Sequence, residues 1–223
     1  MKTRVTFYVD GFNFYYGLKR KKQVDEIWKR YYWIDTVSLF EQFLGPDQEL
    51  EKVVYFTASP LDPEKNSRQS AFLNANALLH PNHFEIVRGS FINKTILCPR
   101  CHYAINRPEE KKTDVNLSMR MIVDCLKDTT DVVTLVSADA DLIPPIEFII
   151  NHYKEKKVRV YFPPANHSFG IRDFMRSHQL DVVRLESNAK KFQNAVLPDI
   201  VELNGRIYTI PEKWKVTAFE KEK

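Results

Sequence analysis

The chain has 223 residues, of which 43% are hydrophobic and 13% aromatic, so it can bury one substantial core and a small appendage. Lys and Arg (33) exceed Asp and Glu (29) by 4, a surplus too small to indicate a nucleic-acid partner by itself. No stretch approaches the roughly 20 apolar residues of a membrane span, and the N-terminus lacks the layout of a secretory signal. Three cysteines argue against a disulfide framework. We therefore expect a cytoplasmic protein with no membrane partner.

Six short runs rich in Val, Ile, Phe and Tyr predict buried strands. In chain order they are RVTFYV, KVVYFTA, FEIVRG, VVTLVS, VRVYFPP and LDVVRL. Segments with helical spacing separate most of them. One predicted helix follows Asp114, and another follows Pro144-Pro145, because proline is accepted in a first helical turn. The Asp114 helix repeats apolar residues on one face: Val115, Met119, Ile122 and Leu126.

Alternation of strands and helices predicts a three-layer α/β/α domain with a mainly parallel sheet and right-handed crossovers. Near the C-terminus, Asn204-Gly205 stands between two strand-like runs and predicts a tight hairpin with both central residues at positive φ. We expect this hairpin to cover a sheet edge. The predicted division is a main domain over residues 1–190 and a C-terminal hairpin extension over 191–223.

Carboxylates stand where several predicted strands and helices meet. Asp10 ends the first strand, Asp139 and Asp141 follow the VVTLVS strand, and Asp114 begins a helix. In open parallel sheets the loops at the carboxyl ends of the strands converge on one crevice. We therefore expect these four acids to share one rim.

Each acid also has a structural explanation. Asp10-Gly11 is compatible with a turn, and Asp114, Asp139 and Asp141 with helix caps. Together, however, four acids on one rim would raise one another's pKa unless a cation were present. Mg²⁺ or Mn²⁺ prefers oxygen ligands and keeps part of its water shell. Asn13 would add a neutral oxygen ligand or orient a water.

Three segments together resemble the signature blocks of NYN-domain proteins, a branch of the PIN-like nucleases. They are YVDGFNFYYGL, KKTDVNLSMRMIVDCL and VVTLVSADADLIPPIEFI, and the resemblance extends from about Arg4 to Arg184. It implies a PIN-like fold and a metal-dependent ribonuclease site. The matching residues are the acids and the amide of the three blocks: Asp10, Asn13, Asp114, Asp139 and Asp141. Ala138 departs from the family's usual Ser-Gly-Asp in the third block.

In such a site, one or two divalent ions would polarise the phosphodiester and activate a water, and no covalent intermediate would be needed. Nothing in the sequence places Ser137 or a cysteine beside a base as a nucleophile. An aspartyl-nucleophile phosphatase is disfavoured because Phe12 stands where the second acid of an Asp-x-Asp pair would be.

A basic and aromatic stretch, GLKRKKQVDEIWKRYYW, follows the Asp10 motif and is a candidate path for RNA. The alternative is a solvated basic helix whose aromatic residues, Trp28 and Trp33 among them, point into the core. The candidate phosphate contacts are Lys19, Arg20, Lys21 and Lys22, joined by Lys111 and Lys112 before Asp114. Asn66, Arg68 and Gln69, after the second strand, are further candidates for the border of the crevice.

The string Cys98-Pro-Arg-Cys101-His102 has three interpretations. Haem attachment is disfavoured without export signals, and a thioredoxin-like redox pair is disfavoured because Pro108 follows closely. A structural Zn²⁺ site remains open beside simple packing, although zinc usually takes four ligands. The remaining ligands would come from His102, His80, His83 or Cys125, or from a second chain.

These observations favour a metal-dependent ribonuclease that uses Mg²⁺ or Mn²⁺, with endonucleolytic cleavage of RNA as the expected activity. The competing hypothesis is a non-catalytic RNA-binding or regulatory NYN module. A homo-oligomer is compatible with the sequence. Retention of all the family's acids favours the enzyme.

Overall fold

A computed structural model describes residues 2–101 and 103–216. Ten strands occur in chain order: β1 Thr3–Asp10, β2 Gln48–Thr57, β3 Phe84–Arg88, β4 Ser90–Leu97, β5 Ala104–Lys111, β6 Val132–Val136, β7 Lys157–Phe162, β8 Asp181–Arg184, β9 Ile200–Leu203 and β10 Arg206–Thr209. Seven α-helices accompany them: α1 Gly11–Val24, α2 Thr36–Glu41, α3 Pro63–Leu79, α4 Thr113–Leu126, α5 Ile143–His152, α6 Phe169–Ser177 and α7 Ala189–Asn194. Short 3-10 helices, Glu26–Tyr32 and Ala140–Leu142 among them, occur in the connections.

The six predicted strands form one sheet in the order β3-β2-β1-β6-β7-β8, and every pairing in it is parallel. Helices cover both faces, which confirms the three-layer α/β/α prediction. Side chains of β1 alternate between the two layers, so Phe7 and Val9 enter one core while Tyr8 enters the other. The first core is closed by α1, α2, α3 and α7, and the second by α4, α5 and α6.

Strand β1 is the point at which the sheet order reverses. Its neighbour on one side is β2, the next strand along the chain, and on the other side β6, which follows much later. Ligands of open α/β sheets bind outside the carboxyl ends of the strands at such a switch point. The fold therefore places the end of β1, at Asp10, in the position expected for a functional site.

The helix predicted after Asp114 is present as α4, but the face that carries the predicted apolar repeat is not its core face. Val115, Met119 and Leu126 are 64%, 54% and 69% exposed. A second apolar stripe, Leu117, Met121 and Cys125, packs in the core instead. Helical spacing was present on both faces, and the contact with the sheet selected the second stripe.

The C-terminal hairpin forms as predicted, with β9 and β10 antiparallel and Asn204 and Gly205 at φ of 52° and 74°. The proposed boundary after residue 190 remains a prediction. Phe192, which lies beyond that boundary, is fully buried in the first core, and Ile34 bridges to Val196. Helix α7 therefore packs as part of the main core.

A second hairpin, β4–β5, was not predicted from the sequence. Its two strands pair antiparallel from Ser90 with Lys111 to Leu97 with Ala104, and Cys98 and Cys101 lie at its tip. The base of the hairpin reaches the end of β1, where Phe91 packs edge-on against Phe12 with 5.9 Å between ring centroids. The hairpin thus borders the rim on which the acids lie.

Candidate active site

Asp10 is the buried centre of the rim. Only 2% of it is exposed, and its carboxylate accepts hydrogen bonds from the backbone N–H of Asn13 (3.0 Å) and from Asn13 Nδ2 (2.6 Å). A third donor, Ser137 Oγ, lies 2.9 Å from Oδ2. Burial raises the pKa of Asp10 above its usual range, and these three donors counteract part of that rise. The carboxylate is therefore fixed in one orientation.

Ser137 connects Asp10 to the third acidic block. Val9 lies opposite Val136 in the β1–β6 register, so the next residues of the two strands, Asp10 and Ser137, meet side by side. Ser137 Oγ also accepts a hydrogen bond from the backbone N–H of Asp139 at 3.1 Å. Sequence reasoning considered Ser137 only as a nucleophile, and the structure instead makes it a positioning residue between two acids.

Asp139 and Asp141 follow in a short 3-10 turn over Ala140–Leu142. Asp139 caps this turn, because its Oδ1 accepts a hydrogen bond from the backbone N–H of Asp141 at 3.0 Å. Asp139 therefore caps this turn and not α5, the helix entered through the two prolines, whose N-cap residue is Leu142. Asp141 is exposed at the same edge.

Asp114 lies in the first turn of α4, which packs against β1 and the Ala140–Leu142 turn. Burial raises the pKa of Asp114 to about 6, with further contributions from the charges of Asp10, Asp139, Glu110 and Asp141. The four predicted acids are thus electrostatic neighbours. Glu110, on β5, is a fifth acid that the sequence analysis missed because the β4–β5 hairpin was not predicted.

Asn13 does not present its amide oxygen freely to the crevice. Both of its nitrogen donors bind Asp10, and its Oδ1 accepts a hydrogen bond from Asn166 Nδ2 at 2.6 Å. Asn166 lies in the loop after β7, and no local signal in the sequence indicated it. In this arrangement Asn13 orients Asp10, and the ligand role of its amide oxygen stays a prediction.

The donor chemistry of the rim fits a hard divalent ion, since the acids supply only oxygen ligands. Within residues 2–101 and 103–216, however, no group of three or more His, Cys, Asp or Glu side chains is arranged to hold an ion as it stands. The acids are brought together from three segments of the chain, but the side chains do not close into a coordination shell.

Several of the predicted RNA-contacting side chains form ion pairs or hydrogen bonds with other residues of the protein. Lys21 lies 3.6 Å from Glu186, and Lys22 lies 2.7 Å from Glu26. Lys111 Nζ donates to Glu109, and Arg20 Nε donates to the carbonyl of Ala165. Among the six, Lys19, Arg20, Lys111 and Lys112 are exposed.

Most aromatic residues of the basic stretch point into the core, as expected for the alternative of a solvated basic helix. Trp28 and Trp33 are 2% and 0% exposed, and Tyr31 is 4% exposed. All three are core residues in the first layer. Only Tyr32, which is half-buried, retains a face toward the surface.

Cys98 and Cys101 are free thiols at the β4–β5 tip. Backbone N–H groups of Cys101 and Arg100 lower the pKa of the Cys98 thiol. The suggested additional ligands are engaged elsewhere: His80 Nε2 lies 2.7 Å from Asp35 Oδ2, His83 Nδ1 lies 3.2 Å from the Glu51 carbonyl, and Cys125 is a core residue. His102 lies outside the described residues.

The fold and the rim define an α/β domain of the Rossmann-like class with an acid cluster at the topological switch point. The model of the NYN domain matches residues 4–196, and the chain therefore belongs to the NYN-domain family. This membership indicates a nuclease-like, RNA-related function. No helix among the described residues is long and apolar enough to cross a membrane.

Two individual proteins are similar to the chain. The 6-hydroxy-3-succinoylpyridine 3-monooxygenase HspA of Pseudomonas putida is 26% identical over 254 aligned residues, which cover 96% of this chain and 75% of HspA. A crystal structure of a protein of unknown function from Vibrio parahaemolyticus matches with a TM-score of 0.52 at 21% identity, covering 82% of this chain and 93% of that chain. At that identity, the crystal structure supports the fold alone.

The raised pKa of Asp114 makes stability depend on pH. Between pH 3.8 and about 6 the folded protein holds a proton on Asp114 that the unfolded chain releases. The stabilising effect of this proton is therefore present at low pH and lost as the pH rises through about 6. We expect Asp114→Asn to raise the free energy of unfolding by about 1 kcal/mol at about pH 7.5 in EDTA, after allowance for partial exposure, and to change it little near about pH 4.

Urea unfolding at both pH values would measure this difference. Asp47→Asn serves as the control, because Asp47 is an exposed acid before β2 and away from the rim, and its effect should stay within about 0.5 kcal/mol at either pH. Equal effects of Asp114→Asn at the two pH values would contradict the raised pKa of Asp114.

Proposed function

We propose that the protein is a metal-dependent ribonuclease that hydrolyses RNA phosphodiester bonds at the acid rim, with endonucleolytic cleavage as the expected mode. The observation that carries this proposal is the convergence of Asp10, Asp114, Asp139 and Asp141 from three distant segments at the switch point of the sheet. Membership of the NYN family supports RNA as the substrate.

Mg²⁺ or Mn²⁺ would be held by Asp114, Asp139 and Asp141, together with the buried carboxylate of Asp10. The bound ion would polarise the phosphodiester and lower the pKa of a water. Asp10 is held in place by Asn13 and Ser137, so its charge is oriented toward the rim before any substrate arrives. Ser137 also fixes the backbone of Asp139. The protein thereby preorganises two of the acids and leaves the outer ones free to adjust.

Asp139→Asn should abolish divalent-dependent RNA cleavage, with a loss of about 100-fold or more, because it removes a metal-facing charge. It is a cleaner test than Asp10→Asn, since Asp10 accepts three hydrogen bonds that an amide would disrupt. The measurement is cleavage of mixed RNAs with Mn²⁺, Mg²⁺ or EDTA, together with the melting temperature of each variant.

Asp47→Asn is again the matched control and should cleave normally. Full activity of Asp139→Asn would refute the proposed site. Binding of RNA by the wild-type protein without cleavage under any divalent ion would instead favour the alternative, a non-catalytic RNA-binding or regulatory module.

The activity in the name of the Pseudomonas relative gives a second candidate, the monooxygenation of a heteroaromatic compound. The observation that favours it is a cavity beside Asp10 whose walls are mostly aromatic, with Tyr15, Tyr32 and Trp214 among them. Incubation with 6-hydroxy-3-succinoylpyridine under air, with a reduced nicotinamide as the two-electron donor that monooxygenation needs, in parallel with the RNA assay separates the two candidates. Consumption of the pyridine without RNA cleavage would replace the ribonuclease proposal.

The proposed RNA path includes the exposed cations near the rim. Lys111 and Lys112 precede Asp114, and Lys112 has a left-handed backbone with φ of 76°. Lys111→Gln with Lys112→Gln removes two charges and keeps polar side chains that are one atom shorter than lysine. On a single strand, each lost phosphate contact should reduce the slope of log affinity against log salt by about 0.7.

The binding of catalytically inactive protein to a labelled RNA at several salt concentrations would give this slope. Lys2→Gln is the control, because Lys2 is exposed just before β1, at the opposite end of that strand from the rim, and we expect a smaller change there. An unchanged slope in the double variant would remove Lys111 and Lys112 from the RNA path.

We also propose that Cys98 and Cys101 bind a structural Zn²⁺ shared between two chains. The backbone donors that lower the pKa of Cys98 favour the thiolate, which is the form that binds zinc. Structural zinc usually takes four ligands, and a pair of hairpin tips would supply four thiolates. This arrangement would also account for the expected homo-oligomer.

Protein purified without strong chelators should then contain about half a zinc ion per chain by elemental analysis. Cys98→Ser with Cys101→Ser should remove the zinc and shift the mass in solution toward a monomer, while the divalent requirement of cleavage remains. A zinc-free wild-type protein, together with a double variant that cleaves normally, would reduce both cysteines to packing residues.

A further inference from the structure

A cavity of about 190 Å³ lies next to the acid rim, on the side of the sheet covered by α1 and α3. Gly11 and Phe12, the two residues that follow Asp10, line its inner end. Its volume is below the roughly 300–1,000 Å³ of pockets for drug-sized ligands. The cavity therefore has room for one ring system rather than for a long substrate.

Rings from separate parts of the chain form the walls of the cavity. They are Tyr15, Tyr16, Tyr32, Tyr55, Phe72 and Trp214. Three of these rings, Tyr15, Tyr32 and Trp214, pack against one another. The distances between ring centroids are 5.6 Å for Tyr15–Tyr32, 6.1 Å for Tyr15–Trp214 and 6.0 Å for Tyr32–Trp214. Such a frame is rigid and offers aromatic faces to a flat ligand.

Gln69 gives the cavity a specific polar group. Its Nε2 donates a hydrogen bond to Thr57 Oγ1 at 2.8 Å, while its Oε1 is buried and has no hydrogen-bond partner among the described residues. An unpaired buried acceptor is unfavourable, and few native structures retain one without a reason. Because Gln69 lines the cavity, a rotation of its amide toward the cavity would bring Oε1 to a ligand that carries an N–H group.

Three cations line the same cavity: Lys19, Lys65 and Arg68. The guanidinium of Arg68 forms an ion pair with the carboxylate of Glu64 at 3.3 Å. The ammonium of Lys19 lies over the Tyr16 ring, 5.6 Å from its centroid. Aromatic walls, a buried acceptor and surrounding positive charge together suit a flat, N–H-bearing heterocycle attached to phosphate. These are the features of a nucleotide.

We propose that this cavity binds one nucleobase of the RNA, adjacent to the phosphodiester that lies at the acid rim. The base stacks on the aromatic walls, and Gln69 Oε1 accepts a hydrogen bond from an N–H on the base edge. Lys19, Lys65 and Arg68 neutralise the neighbouring phosphate. The identification of the ligand as RNA rests on the proposed ribonuclease function, and the cavity would then set the base preference beside the cut.

The test uses the full chain carrying Asp139→Asn, in EDTA, so that binding is measured without cleavage. The four ribonucleoside 5′-monophosphates are titrated by calorimetry, with ribose 5-phosphate as the probe that lacks a base. We expect at least one nucleotide to bind about tenfold or more tightly than ribose 5-phosphate, because the stacked base adds to the phosphate contacts. Equal affinities would overturn the proposal, since charge alone would then explain binding.

Two variants locate the base. Gln69→Leu should weaken binding of the preferred nucleotide by about tenfold and leave ribose 5-phosphate unchanged. Gln193→Leu, the same substitution at an exposed position on α7, is the matched control. Tyr16→Ala should act like Gln69→Leu, and Tyr16 is 49% exposed, so its removal spares the core. Unchanged nucleotide affinity in both Gln69→Leu and Tyr16→Ala would overturn the proposal.

Failure of this inference and failure of the ribonuclease proposal give different results. If the wild-type protein cleaves RNA, sequencing of the products should show a base preference beside the cut that Gln69→Leu relaxes. Cleavage with an unaltered preference would overturn the nucleobase site alone. If no cleavage occurs, the nucleotide titration still decides the site. Binding of nicotinate, a heteroaromatic carboxylate, without binding of any nucleotide would assign the cavity to another class of ligand.

Discussion

The arrangement of the site depends on the burial of the Asp10 carboxylate at the end of the central strand. A buried carboxylate is stable only when donors surround it, and here the donors are Asn13 and Ser137. Asn13 is three residues away on α1, whereas Ser137 directly follows β6. The parallel register that places Val9 beside Val136 therefore builds the inner half of the rim.

The outer half of the rim is less favourable for folding and for that reason better suited to a cation. Burial, together with the charges of four other carboxylates, raises the pKa of Asp114 to about 6. At the other end of β1, by contrast, Arg4 pairs with Asp128 and Asp131. Acids that share one edge and have raised pKa values are characteristic of a functional site.

The sequence was sufficient to predict features that depend on local pattern. Six apolar runs became the six strands of the sheet, and the acids at their ends were brought to one rim because parallel strands share an edge. Asn166, Ser137 and Glu110 were missed because their roles depend on contacts between distant segments. The β4–β5 hairpin was missed because β5 is largely polar and contains Pro108, which argues against a strand.

A single residue couples the acid rim to the aromatic cavity. A Cβ atom on Gly11 would approach Tyr55 Cε1 to 2.4 Å and the Phe56 carbonyl oxygen to 2.7 Å, so α1 can begin against the end of β2 only with glycine there. Asp10 lies immediately before this contact, and Phe12 immediately after it lines the cavity. The close contact of Gly11 with β2 fixes the backbone between Asp10 and Phe12. The distance from the buried carboxylate to the aromatic walls is therefore set by the fold and not by mobile side chains. A substrate that occupied both the acid rim and the aromatic cavity would have its phosphodiester and the neighbouring base held at a fixed separation. Cleavage at a chosen position requires such a fixed separation.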